Sequence, residues 1–193
     1  MHVPAQDAPF SKFAASAADS YGRDRAEVDA GVTGLEKARW LSLLVPASLL
    51  AGALGSQYLG GLYPCEMCHW QRWPHYAAVG FALISFAMRG AADRGRSFVW
   101  LAALAILTSG AIGVYHAGVE AGIFEGLTQC SSTLGGSGTD LLKDIMATPL
   151  VRCDQVQFEF LGISMAGWNA IISIGSALVI LWLSLRRPQA TTA

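Results

Sequence analysis

The stretch Phe98–Ala117, "FVWLAALAILTSGAIGVYHA", runs for 20 residues without a charged side chain. A helix needs about that many apolar residues to cross the hydrocarbon core of a bilayer. Three further runs share this character: Trp40 to Leu59, Trp73 to Met88 and Trp168 to Leu185. Hydrophobic residues make up 53% of the 193 and charged residues only 14%, too apolar and too poorly charged for an ordinary soluble domain. Four buried core helices in a chain of this size would leave too little polar surface to cover them. The expected fold is therefore an all-α membrane protein, a bundle of four transmembrane helices.

The flanks divide the rest of the chain. Residues 1–39 are small, polar and mixed in charge, and they read as a cytoplasmic tail, flexible or partly helical. No apolar segment follows a basic start there, and six acidic residues argue against a transit peptide. Residues 40–187 form the transmembrane domain, with spans near 40–59, 69–88, 98–117 and 166–185, and residues 188–193 form a short second tail. A net charge of −1 and the lack of a basic stripe with interleaved aromatics exclude nucleic acid as a partner.

Orientation follows from the basic residues beside the spans, because cytoplasmic flanks carry the excess. With the N-terminus inside, Lys12, Arg23, Arg25, Lys37, Arg39, Arg89, Arg94, Arg96, Arg186 and Arg187 are cytoplasmic, and only Arg72, Lys143 and Arg152 lie on the far side. Both termini and the turn "RGAADRGR" (89–96) are thus cytoplasmic. A short and a long loop face the opposite compartment, and all four cysteines lie in them: Cys65 and Cys68 in the short loop, Cys130 and Cys153 in the long one. In a bacterium that side is the periplasm, where disulfides persist. Four cysteines allow three pairings, and proximity favours Cys65 with Cys68 and Cys130 with Cys153.

The short loop reads "PCEMCHWQR" (64–72). Its C-x-x-C-H matches the attachment pattern of a c-type haem, but it is confined between two spans with no domain to bury a macrocycle. A zinc site of four cysteines would be tetrahedral and closed, yet 22 residues separate Cys130 from Cys153, so that pair lacks a local knuckle. Two structural disulfides are a third possibility, although tight C-x-x-C rings are more often catalytic. A redox-active pair accounts for more of the residues. The second span must begin upstream of Trp73 to be long enough, which puts Cys68 and Arg72 one turn apart on a single helix face. A guanidinium and a helix N-terminus there both favour thiolate over thiol.

Three segments then carry a resemblance: "PCEMCHWQR", "YHAGVEAGIFEGLTQC" (115–130) and "CDQVQFEFLGISMAGWN" (153–169). Together with the order span, C-x-x-C, span, span, two-cysteine loop, span, they resemble the DsbB family of disulfide bond formation proteins over roughly Trp40 to Leu185. The resemblance implies a bacterial inner-membrane protein-dithiol:quinone oxidoreductase that reoxidises a periplasmic, thioredoxin-fold DsbA-like thiol oxidase. It implies that Cys130 is attacked by the reduced partner, that Cys153 then engages Cys65, and that Cys68 faces ubiquinone, or menaquinone, with Arg72 beside the ring. It implies a quinone-binding role for His116, and no metal ligand. His69 is left as an interfacial side chain.

The segment "TDLLKDIMATPL" (139–150) groups Leu141, Leu142, Ile145 and Met146 on one helical face, as expected of a short helix lying on the bilayer. Trp40, Trp73 and Trp168 mark span ends as an aromatic belt does. Two other readings remain beside the quinone-linked oxidoreductase. One resembles vitamin K epoxide reductase, a four-helix bundle with similar chemistry that places its C-x-x-C late in the core. The other is a non-enzymatic haem or metal binder.

Overall fold

The computed structural model describes residues 9–126 and 151–186, with side chains from Gly34 onward. Four long helices dominate these residues: α1 (Pro9–Tyr58), α2 (Glu66–Ala87), α3 (Arg96–Glu120) and α4 (Met165–Leu185). Helix α3 packs against α2 on one side and α4 on the other, and α1 closes the ring by packing against both α2 and α4. Gly34–Tyr58, Arg96–Glu120 and Met165–Leu185 are each long and apolar enough to cross a membrane. Helix α2 has 22 residues, about 33 Å of helix, but its first three turns carry Glu66, His69, Gln71, Arg72 and His75. The stretch 9–39, expected to be flexible or partly helical, is helical from Pro9 and continues without a break into the first apolar run.

The bundle exposes large apolar side chains that a water-soluble one would bury, and buries serines among its core residues. Leu44, Leu83, Leu104 and Leu178, one from each helix, are all more than half exposed, whereas Ser42, Ser85, Ser109, Ser173 and Ser184 are buried. Small residues and serines let the helices approach closely where no hydrophobic force would drive them together. The α3–α4 contact shows this most plainly. A Cβ on Gly113 would come within 3.0 Å of the Ala166 carbonyl oxygen, and one on Gly110 within 2.8 Å of Ile174 Cγ1. At one end Val99, Ala102, Ala103 and Ile106 of α3 pack with Ala78, Ala177 and Ile180.

Local chemistry sets the helix starts. Cys65 caps α2, its sulfur accepting from the Cys68 amide at 3.3 Å. Asp93, two residues ahead of the Gly95 N-cap, braces the start of α3: its carboxylate accepts from the amides of Gly95 and Ser97, both at 3.0 Å, and from the Ser97 hydroxyl at 2.6 Å. Those bonds to Ser97 and Gly95 hold the Asp93 carboxyl below its usual range, at about 2. A two-stranded hairpin, β1 (Glu159–Phe160) with β2 (Ile163–Ser164), leads into α4. Its two-residue turn has Leu161 and Gly162 both at positive φ, the backbone that a right-handed hairpin twist selects. Ser164 ends the hairpin and caps α4, accepting from the Gly167 amide at 3.2 Å.

Candidate functional site

The C-x-x-C forms the first turn of α2. Cys65 is buried at the cap and Cys68 is half-buried one turn on, with the two sulfurs 2.9 Å apart. The Cys65 thiol holds its proton against the Cys68 sulfur, and burial adds to this, so its pKa is pushed well above the ordinary thiol value. Of the two sulfurs, Cys65 is the one that keeps its proton.

The predicted Cys68–Arg72 face exists, with both residues lining one cavity of about 250 Å³. The Arg72 guanidinium reaches across to α1, donating to Gln57 Oε1 at 2.6 Å and to the Ala53 carbonyl at 3.1 Å. The cavity is lined by apolar and small residues of α1, among them Leu49, Leu50 and Ala53, and by His116, Gln71 and Asn169. An apolar slot with a few convergent polar groups suits a small, flat, carbonyl-bearing ring, and its volume is near the lower end for ligand pockets, about 300 Å³. The residues present thus fit a quinone head group.

His116 comes from α3 and is buried, with Nε2 3.6 Å from the Cys65 sulfur and 3.7 Å from Glu120 Oε1. Glu120 is in turn hydrogen-bonded by the Ser164 hydroxyl. Cys153 is also buried and packs in one cluster with Cys65, Met67 and Val119, touched by Cys68 and Tyr115. Its backbone lies beside the His116 ring. Cys153, Cys65, Cys68 and His116 are therefore brought together at one end of the bundle. Cys130 and the segment 139–150 lie outside the described residues. His69 is exposed and outside the cavity, whereas Trp168 contributes to the cavity wall and donates to the Phe160 carbonyl at 3.0 Å.

Four polar residues not singled out in the sequence complete the site. Gln71 Nε2 is 2.7 Å from His116 Nδ1, and Asn169 Nδ2 donates to Gln71 Oε1 at 2.7 Å. Ser109 and His75 continue the network, with Asn169 Oδ1 3.0 Å from His75 Nε2. The signal that could have found them is generic: a polar side chain inside an apolar span is costly and is retained for a reason. Among the described residues, Cys65, Cys68 and His116 also bring three potential metal-ligating atoms within 4.8 Å of one another.

A family model described as "Disulfide bond formation protein DsbB" matches residues 36–183. A protein of Saccharophagus degradans named "Disulfide bond formation protein B" is 31% identical over 172 residues, covering 81% of this chain and 98% of that protein. Its namesake in Stutzerimonas stutzeri is 29% identical over 154 residues, covering 76% of this chain and 93% of that protein. An uncharacterized protein of Rickettsia prowazekii is 27% identical over 153 residues, covering 76% and 87%. No solved structure gives a significant match.

Proposed function

Because the chain belongs to the DsbB family of disulfide bond formation proteins, we propose that it reoxidises a DsbA-like thiol oxidase and passes the electrons through its two cysteine pairs to a membrane quinone, ubiquinone or menaquinone. The observation that carries this reading is the burial of Cys153 in one cluster with Cys65, which lines the same cavity as Cys68, Arg72 and His116.

The steps balance as thiol–disulfide exchanges. A partner thiolate attacks Cys130 of a Cys130–Cys153 disulfide, forming a mixed disulfide and releasing Cys153 as thiolate. Cys153 attacks Cys65, breaking its bond to Cys68, and the leaving electron pair stays on the Cys68 sulfur. The partner's second thiolate resolves the mixed disulfide, so the partner departs oxidised. Cys130 then reclaims Cys153 and frees Cys65. A bound quinone supplies an acceptor for the two electrons and two protons that Cys65 and Cys68 lose as they rejoin. Arg72 holds fixed positive charge beside Cys68, which favours its thiolate and any negative charge developing in the cavity.

The same reading makes α2 the fourth span: its exposed Leu83 and Ile84 suit a lipid-facing flank, and Gln71, Arg72, His75 and Ser85 are buried within the bundle. It sets the cysteine end in the periplasm and both termini in the cytoplasm of a bacterial inner membrane. Addition of a reduced DsbA-like protein and a soluble quinone to the purified protein should bleach the quinone absorbance in step with partner oxidation. Partner oxidation with no quinone reduction would refute the assignment.

A further inference from the structure

His116 is held from behind as well as facing the sulfurs. Its Nδ1 is 2.7 Å from Gln71 Nε2, and Gln71 Oε1 in turn accepts from Asn169 Nδ2 at 2.7 Å. Two backbone carbonyls decide which way these amides face. Asn169 Nδ2 lies 3.3 Å from the Ser109 carbonyl oxygen and Gln71 Nε2 lies 3.4 Å from that of Met67. Flipping either amide would set oxygen against oxygen at that distance, and flipping one forces the other. With the amides so fixed, Gln71 offers His116 an N–H, and a neutral imidazole that accepts at Nδ1 carries its proton at Nε2.

We propose that Gln71 and Asn169 are positioning residues that hold His116 as the Nε2–H tautomer, so that it meets Cys65 as a hydrogen-bond donor and neither as a base nor as a metal ligand. The groups facing Nε2 suit a donor: the Cys65 sulfur at 3.6 Å and the Glu120 carboxylate at 3.7 Å. In the exchange proposed above, on which this role rests, the Cys65–Cys153 bond breaks as Cys130–Cys153 forms, and the electron pair remains on Cys65. The N–H then points at the sulfur where negative charge appears. The same tautomer keeps the cluster of Cys65, Cys68 and His116 from acting as a three-ligand metal site, because the nitrogen facing the sulfurs has no free lone pair. A metal-ligating histidine needs the opposite arrangement, its outer N–H donated to an acceptor such as a carboxylate.

The test is the ¹⁵N spectrum of the reduced full-length protein in detergent, labelled at histidine, with the His116 resonances assigned by loss in His116→Gln. In the wild type, Nδ1 should resonate as an unprotonated nitrogen and Nε2 as a protonated one. Gln71→Glu, isosteric but accepting only, should reverse the two. It should also tighten Zn²⁺ binding by tenfold or more, with the His116 signals shifting on Zn²⁺ addition in the variant and staying put in the wild type. Asn169→Ala, which frees Gln71 to turn, should give a mixture of tautomers. A wild-type His116 protonated at Nδ1, or an unchanged spectrum in Gln71→Glu, would overturn the proposal, and an unchanged spectrum in Asn169→Ala would remove Asn169 from it. These readouts need neither partner nor quinone, so failure of the oxidoreductase reading would leave them standing.

Discussion

Arg72 of α2 donates to Gln57 Oε1 of α1 at 2.6 Å, so the cation beside the C-x-x-C is moored to the neighbouring helix. Anchoring and charge are separable. Arg72→Ala should lower kcat/KM for quinone by about ten- to a hundredfold, the scale of a lost charged hydrogen bond of roughly 1.5–3 kcal/mol. Lysine should recover part of it by restoring charge without the planar fork. Gln57→Leu should raise KM for quinone with a smaller loss, and exchange with the protein partner should persist in all three. Normal steady-state kinetics in Arg72→Ala at matched expression would show that Arg72 only anchors the helix.

Cys153→Ala should block the handover from Cys130 to Cys65. A partner lacking its own resolving cysteine should then accumulate as a covalent complex, visible as a non-reducing gel band that maps to Cys130. Mapping to Cys65 would reverse the order of the two pairs.

Topology is checked by a membrane-impermeant thiol reagent on intact, reduced cells. Labelling of the cysteines without opening the inner membrane is expected. Labelling that requires opening would place the sulfurs on the wrong side for a periplasmic partner.

Gly113→Ala should destabilise the bundle by about 1–3 kcal/mol, the usual cost of overpacking, because its Cβ meets Ala166 and Ala170 backbone atoms at 3.0 and 3.1 Å. Gly52→Ala, with nothing within 4 Å, should be neutral or slightly stabilising through helix propensity. Thermal unfolding of the two variants in one detergent measures the difference.

Asp93 at the start of α3 gives a pH dependence of known sign. Its folded pKa, about 2, lies below the unfolded carboxylate value of about 3.9, so its contribution is full above roughly pH 4 and lost as pH falls through 2. Protection of the Gly95 and Ser97 amides, taken relative to their intrinsic exchange rates, should fall across that window, and Asp93→Ala should remove the dependence. Protection that is flat in the native protein would exclude this bracing role.

Much of this was readable in the residues, and what was not shares one cause. Apolar runs and the C-x-x-C are local, so three of the expected spans and the place of the cysteine pair at the head of α2 followed from counting. The cross-helix links did not. Whether Gln71, His116 and Asn169 meet depends on the rotation of three helices about their own axes, which hydropathy does not encode. His116 entered only through family resemblance, and its proximity to Cys65 came from packing. The Leu161–Gly162 turn was hidden because leucine rarely takes positive φ. The helical continuity of residues 9–39 was hidden because a polar stretch gives no burial pattern from which to read a helix.

In the proposed exchange the Cys65 sulfur is both a reacting atom and the acceptor that closes the first turn of α2, so the helix end and the electron carrier are one object. Any third sulfur that bonds Cys65 draws it from the Cys68 amide and leaves that donor open. The turn that presents Cys68 would then loosen at the moment its sulfur becomes the exposed nucleophile, and tighten again when the ring closes. Protection of the Cys68 amide against exchange is thus a direct gauge of which disulfide the protein holds.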